Sequence, residues 1–235
     1  MKRLHRPDAP NCLSDYRAPP DVWDGEPGPK GKKLNKACKK SVRDALKTMQ
    51  SRTCAYCERT IYKDTDDKDK GGHIEHFVQK GGAPHETFSW DNLFWSCMQK
   101  MSCGKHKDRV NRTTYTHADL LKPDVDDPLQ FLQYDVEGRV LPKGELAPAK
   151  LVRARQTIRV FNLNSHEARL PRIRLETWTT VAAEVEELQE LFGDGSFTTD
   201  ELFDERERVI SERRTSEFSA CVRSLVELFL PLPQA

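Results

Sequence analysis

Cys54-Ala-Tyr-Cys57, His73-Ile-Glu75-His76-Phe77, Trp90-Asp-Asn92-Leu93, Cys97, Cys103 and His106 follow one another in a single run of the chain. Two cysteine pairs frame a base, a carboxylate and an amide. Cys54-x2-Cys57 has the spacing at which a tight turn points two thiolates at one ion. Cys97 and Cys103 are separated by five residues, wider than a standard knuckle, yet four thiolates suit a closed tetrahedral zinc site. Such a site adds roughly 10–16 kcal/mol of binding free energy to folding, which matters in a stretch poor in hydrophobic residues. The plainer reading, incidental buried cysteines, is outweighed by the spacing together with the compartment argued below.

The residues between the pairs carry chemistry. Phosphodiester hydrolysis needs an activated water, a cation for the charge on the phosphorane, and a way to stabilise the leaving oxygen. A neutral imidazole near pH 7 suits the first task. A carboxylate holding a hard divalent ion suits the others. Lone histidines are more often surface or hydrogen-bonded residues than catalysts. Here a His-x-x-His with an internal Glu lies inside a cysteine frame and is followed by Asn-Leu and another His.

At 235 residues the chain has room for one large domain or two small ones. Hydrophobic residues make up 37% and charged residues 32%, so a core is affordable beneath an unusually ionic surface. The net charge of +1 does not announce a nucleic-acid binder; any such surface must be a local patch. No long apolar run is present, so no membrane span is expected. The first twenty residues are basic but lack the apolar stretch of a secretory signal. A cytoplasmic, reducing location is therefore expected, where metal-spaced cysteines read as ligands and not as disulfides. Seven cysteines then divide into four ligands and three others. Cys38 and Cys221 sit on apolar helix stripes and Cys12 stands alone, so these read as structural.

The organisation falls into three parts. Residues 1–33 hold many of the prolines and glycines and read as an extended N-terminal arm, not a packed element. Residues 34–123 form the motif-bearing core. They begin with a helix whose stripe is Leu34, Cys38, Val42, Ala45, Leu46 and Met49, and they include a polar insert at 63–70 read as a solvated loop. Residues 124–235 read as mainly helical. Two short strands flank a turn at Glu137-Gly138, a helix spans 150–160, and a longer one is stopped by Gly193-Asp-Gly195. Two more helices follow, the last ended by Pro231. The fold class expected is α+β.

Cys54-Ala-Tyr-Cys57-Glu, His73-Ile-Glu-His-Phe and Trp90-Asp-Asn-Leu together resemble the HNH endonucleases. Their ββα-metal fold is a short hairpin and a helix around one divalent ion. More narrowly, the run is similar to the PtuB-type nucleases of Septu and retron anti-phage systems, and the likeness is strongest over about residues 42–108. It implies that His76 is the general base, that Glu75 is an acidic metal ligand, and that Asn92 braces the loop and orients the base. It implies Mg2+ or Mn2+ as the catalytic ion beside the structural Zn2+, and an ABC-type, PtuA-like ATPase as partner. The departure is at the last ligand position, directly after the final cysteine, where this chain has Gly104. A shifted register makes His106 the expected ligand, with Asp108 in reserve.

Lys100, Lys105, Lys107, Arg109 and Arg112 follow the core and could neutralise a phosphate backbone, as could the lysines between Lys36 and Lys47. In a chain this charged such residues also simply cover surface. Trp90 and Trp95 read as packing beneath the zinc site rather than as base-stacking platforms. Two functions remain open: a metal-dependent nuclease of nucleic acid, DNA rather than RNA, or a non-catalytic zinc module that binds nucleic acid or a protein. A plain zinc ribbon has no use for Glu75, His76 and Asn92 in this order; the Gly104 departure favours the module.

Overall fold

A computed structural model describes residues 1–62 and 71–231; the insert at 63–70, read as a loop, lies outside them. The first long helix, α1, spans Lys36–Met49. Asn35 caps it by accepting the Cys38 amide at 2.7 Å, and Cys38, Val42 and Leu46 form its buried stripe. At its C-terminal end Gln50 is fully buried. The Gln50 amide acts as an extra strand edge. It accepts the Trp95 N–H at 2.8 Å and donates to the Trp95 carbonyl at 2.8 Å and to the Thr53 carbonyl at 2.9 Å. That clamp sets the following Cys54–Cys57 turn against strand β2.

Strand β1 (Gly72–His76) pairs antiparallel with β2 (Leu93–Cys97), with Glu75 opposite Phe94 and His76 opposite Leu93. A short helix, α2 (Cys103–Lys107), follows β2. A ribbon and a helix therefore stand where the motif predicts them. All five residues of β2 are buried, which is why its apolar run shows no alternation.

The second half matches the predicted mixture. Strands β3 (Leu132–Tyr134) and β4 (Val140–Pro142) pair antiparallel. Gly138 between them has φ +74°, where a Cβ would collide with the Pro171 carbonyl. Helices α3 (Pro148–Val160), α4 (Leu170–Gly193), α5 (Thr199–Glu212) and α6 (Ser219–Phe229) complete the chain. Trp178 of α4 stacks on Phe229 of α6 with centroids 5.5 Å apart. Leu175 of α4 and Leu228 of α6 are exposed. Among the described residues no helix is long and apolar enough to cross a membrane.

Two expectations about the N-terminal segment are corrected. Its backbone is largely irregular, but it is packed: Met1, Leu4, Leu13, Tyr16 and Trp23 are buried in the same apolar cluster as β2 and α6. Arg6 donates to the Trp90 and Leu93 carbonyls at 2.7 and 3.1 Å and pairs with Asp124 at 2.6 Å. These apolar residues follow neither a helical nor a strand period, so no pattern announced their burial. Cys12 and Cys38, expected as unpaired, form a disulfide. The helical turn at Asn11–Asp15 brings Cys12 onto the buried stripe of α1.

Glu58, directly after the Cys54–Cys57 turn, is a second junction. Its buried carboxylate accepts Ser219 Oγ and the Ala220 N–H at 3.0 Å each, at the start of α6, and pairs with the Met1 α-ammonium at 2.6 Å. Burial alone would raise this carboxyl; the ammonium and the donors outweigh it and hold it below its ordinary value.

The disulfide closes a loop with a sequence separation of 26, for which chain-entropy arguments give about 3–4 kcal/mol. Protein prepared without reductant should resist alkylation at Cys12 and Cys38. Cys38→Ser should lower Tm by something like 5–15 °C. Full alkylation of both residues in the folded, unreduced protein would refute the pairing.

Candidate active site and metal centre

The Sγ atoms of Cys54, Cys57, Cys97 and Cys103 all lie within 4.8 Å of one another, and all four residues are buried. Cys57 and Cys97 sulfurs are 4.0 Å apart. Zinc–sulfur bonds of about 2.3 Å in a tetrahedron require separations of roughly 3.8 Å, so the cluster fits a metal ion. The Cys97 N–H points at Cys54 Sγ at 3.4 Å, the kind of amide-to-sulfur bond that steadies a thiolate ligand. Burial and then the neighbouring sulfurs push the Cys103 thiol well up. A bound divalent ion reverses that balance.

Next to this cluster lies a cleft of about 530 Å³ that includes all of β1, with Trp23, Lys39, Arg43, Lys80, Lys105 and Asp108 around it. Glu75 is at its floor, only 3% exposed. Oε1 lies 2.7 Å from Lys107 Nζ, and Oε2 lies 3.0 Å from His73 Nε2. Burial would raise the Glu75 carboxyl, but the Lys107 ammonium and the His73 contact more than offset this and hold it low. His73 and Glu75 are two residues apart on a strand and so share a face.

His76 is 7% exposed and sits edge-on to Trp23, with ring centroids 4.7 Å apart. Its Nε2 faces the Thr87 carbonyl at 3.0 Å, so Nε2 carries the proton and Nδ1 keeps its lone pair. Burial, helped by the Lys80 charge, lowers its pKa to about 4, so the ring is neutral at pH 7. Asn92 closes the intervening loop. Oδ1 accepts the Val78 N–H at 2.6 Å, and Nδ2 donates to the Val78 and Glu86 carbonyls at 2.9 and 3.0 Å. Glu86 immediately precedes Thr87, so the loop that Asn92 ties is the loop that holds His76.

The structure thus brings Glu75, His76 and Asn92 together. It separates the two residues weighed for the last ligand position. His106 donates Nδ1 to the Val160 carbonyl at 2.9 Å, on α3, and does not line the cleft. Asp108 does line it, accepting Gln79 Nε2 at 2.9 Å. Gly104 gains a steric reason: a Cβ there would lie 2.4 Å from Glu75 Oε2. The Glu75 carboxylate occupies the space that a side chain at position 104 would need.

Lys107 was read as a phosphate-facing cation, and this is corrected. It is fully buried, with Nζ donating to the His76 and Phe77 carbonyls at 2.8 and 3.2 Å as well as pairing with Glu75. The signal was in the sequence: Lys107 lies four residues after the metal-cluster cysteine Cys103, on the same helix face. Trp23 and Thr87 carried no such signal.

A catalytic divalent ion can be tested against the same geometry. Among the described residues the four cysteines are the one group of three or more potential ligands close enough to share an ion. Glu75 Oε2 and His73 Nε2 lie 3.0 Å apart on one face of β1. A carboxylate is an ordinary ligand of Mg2+ or Mn2+, and an imidazole beside it suits the transition ion better; these two side chains would be the protein's donors to such an ion.

No family model matches the chain. A stretch of 142 residues, 57% of this chain, is 28% identical to a Vibrio cholerae serotype O1 biovar El Tor protein named "Retron Vc95 putative HNH endonuclease". The matched stretch spans 62% of that relative's length. The similarity supports a relationship to the HNH endonuclease family, through a relative named for a retron.

Two outcomes follow. Metal analysis of purified protein should find one tightly bound ion per chain, and Cys97→Ser should lose that ion together with cooperative folding; a soluble, folded, metal-replete Cys97→Ser would refute this. Lys107→Met should cost about 3–5 kcal/mol in a denaturant melt, because it strands the Glu75 charge. Lys105→Met, at the cleft, should change stability by no more than about 0.5 kcal/mol.

Proposed function

We propose that this chain is a metal-dependent HNH endonuclease that hydrolyses phosphodiester bonds of nucleic acid, with DNA the favoured substrate, and that the cysteine cluster holds a structural Zn2+. The observation that carries the reading is the placement of His76: a buried imidazole fixed through Nε2 to the Thr87 carbonyl, in one cleft with a buried carboxylate.

In this reading His76 Nδ1 takes the proton of the attacking water. The Thr87 carbonyl holds the tautomer and stabilises the charged ring while it carries that proton. Asn92 keeps the loop, and so that carbonyl, in place. Glu75 Oε2 and His73 Nε2 would hold Mg2+ or Mn2+, and Asp108, unlike His106, lines the same cleft. When bound, the ion supplies positive charge for the phosphorane and the leaving oxygen. Lys107 keeps Glu75 ionised and oriented without itself reaching the cleft. The wider role, a nuclease effector in anti-phage defence held by an ABC-type, PtuA-like ATPase, rests on the resemblance and on the retron relative. An unrestrained nuclease would be toxic to its cell, which gives such a partner a physical purpose.

A non-catalytic zinc module is the second reading. The observation favouring it is that Glu75 already has cationic and hydrogen-bonding partners. Cleavage decides between them. With plasmid DNA or RNA in Mg2+ or Mn2+, His76→Ala should stay folded and metal-loaded while cleavage falls by roughly 10²–10⁴-fold. Equal cleavage by the wild-type protein and His76→Ala would remove this site from any catalytic role.

A further inference from the structure

An N-terminal loop reaches the cleft with Trp23 and Asp24. The segment from Arg17 to Leu34 folds back on itself around Asp21. That carboxylate accepts the Arg17 and Lys32 N–H groups at 2.8 Å each. Val22 donates to the Lys32 carbonyl at 3.0 Å, and Leu34 to the Val22 carbonyl at 2.9 Å. The Cys12–Cys38 disulfide closes the loop at its base. Its tip carries Trp23 and Asp24. Trp23 is buried against His76, which fixes the backbone of Asp24 beside the candidate base.

Asp24 is exposed, and each of its oxygens goes to a different lysine. Oδ1 lies 2.9 Å from Lys39 Nζ on α1, and Oδ2 lies 3.3 Å from Lys80 Nζ on the loop after β1. All three residues line the cleft that holds His76 and Glu75. A monoanionic group offering two oxygens from one centre to two ammonium groups has the charge and valence of a phosphodiester's non-bridging oxygens. The lysines are 39% and 41% exposed and Asp24 is 58% exposed. Ion pairs this exposed are weak, so an incoming phosphate displaces the carboxylate at little cost.

Resting on the nuclease reading, we propose that Lys39 and Lys80 form a phosphate-binding subsite for the nucleic-acid backbone flanking the cleaved bond. Asp24 occupies that subsite in the free protein as an internal stand-in for phosphate. The class of ligand is a phosphodiester backbone. Substrate enters by exchanging one phosphate for the Asp24 carboxylate while Trp23 stays packed. The remaining charges of the cleft, among the described residues, agree with this. Glu75 and Asp108 both pair with Lys107, and Arg43 and Lys105 add positive charge to the lining, so once Asp24 swings out, Lys39 and Lys80 face substrate as cations beside His76.

The test separates binding from cleavage. Binding of a fluorescein-labelled single-stranded oligodeoxynucleotide, its duplex, and RNA of the same sequence is followed by anisotropy across a salt series, in a His76→Ala background. Asp24→Asn keeps the shape and removes the charge. It should tighten binding about three- to tenfold. In the otherwise wild-type chain it should lower KM by a similar factor with kcat unchanged. Lys39→Gln and Lys80→Gln should each weaken binding and flatten the salt slope by about 0.7–0.9. Lys40→Gln, whose lysine pairs with Asp44 outside the cleft, should change the slope least. In the double variant Asp24→Asn/Lys39→Gln most of the gain should disappear. Unchanged or weaker binding by Asp24→Asn, or lysine variants indistinguishable from Lys40→Gln, overturns the subsite while leaving cleavage by the wild-type chain to stand. Tighter binding by Asp24→Asn with no cleavage by any variant upholds the subsite and overturns the nuclease reading. No binding by any variant overturns the subsite. The probe that shows the largest Asp24→Asn effect identifies the favoured backbone.

Discussion

Four sulfurs lying within 4.8 Å of one another join three segments of the core at one point. One pair comes from the turn after α1, one sulfur from the end of β2 and one from the start of α2. The β1–β2 ribbon has five paired positions, too few to be stable alone. The ribbon becomes a firm platform because its end is fixed twice: by the sulfurs at Cys97 and by the Gln50 clamp at Trp95. Every candidate chemical group depends on that platform. Glu75 and His76 are on β1, Asn92 immediately precedes β2, and Lys107 ends the helix that Cys103 begins. An ion held by the four sulfurs would couple strand pairing to the placement of the carboxylate in one cooperative event.

The parts of the fold readable from the sequence are those with a period or a spacing. α1, the β3–β4 hairpin and helices α4 and α6 each carried an apolar stripe, a turn glycine or a stop signal. The ribbon and α2 were placed by the order of the motif residues. The N-terminal segment was not readable. Met1, Leu4, Leu13, Tyr16 and Trp23 pack as single anchors on a surface formed by other elements, so their burial is a tertiary fact without local periodicity. Prolines and glycines describe how the backbone runs, not whether it is covered. The disulfide was missed for a related reason. Its two cysteines lie far apart in sequence, and the compartment argument set a prior against pairing that geometry then overrode.

At the site, residue types were legible and their partners were not. His76, Glu75 and Asn92 were singled out by identity and order, and they converge. Which way His106, Lys107 and Asp108 face depends on the phase of a helix only five residues long. A helix that short has no stripe of its own to fix its rotation. Its phase is fixed by Cys103, and four residues later that puts Lys107 inside. Asp108, next along, borders the cleft, while His106 is directed to the Val160 carbonyl. Reading the helix from its metal-cluster cysteine, and not from its charges, would have ordered all three.

The glycine at position 104 then takes on a different meaning. As a bare departure from a family pattern it suggests a lost ligand and a weakened site. In the folded chain the Glu75 carboxylate fills the volume that a side chain at 104 would take. A larger residue there and the present position of Glu75 exclude one another. The buried carboxylate in turn persists as an anion only because Lys107 and His73 face it, since an unpaired buried charge would protonate or be expelled. Glycine, carboxylate and buried lysine are therefore one solution to a packing and charge problem. A side chain at 104 would displace the carboxylate, and removing the lysine would strand it; a residue-by-residue comparison with a ligand pattern cannot display that dependence.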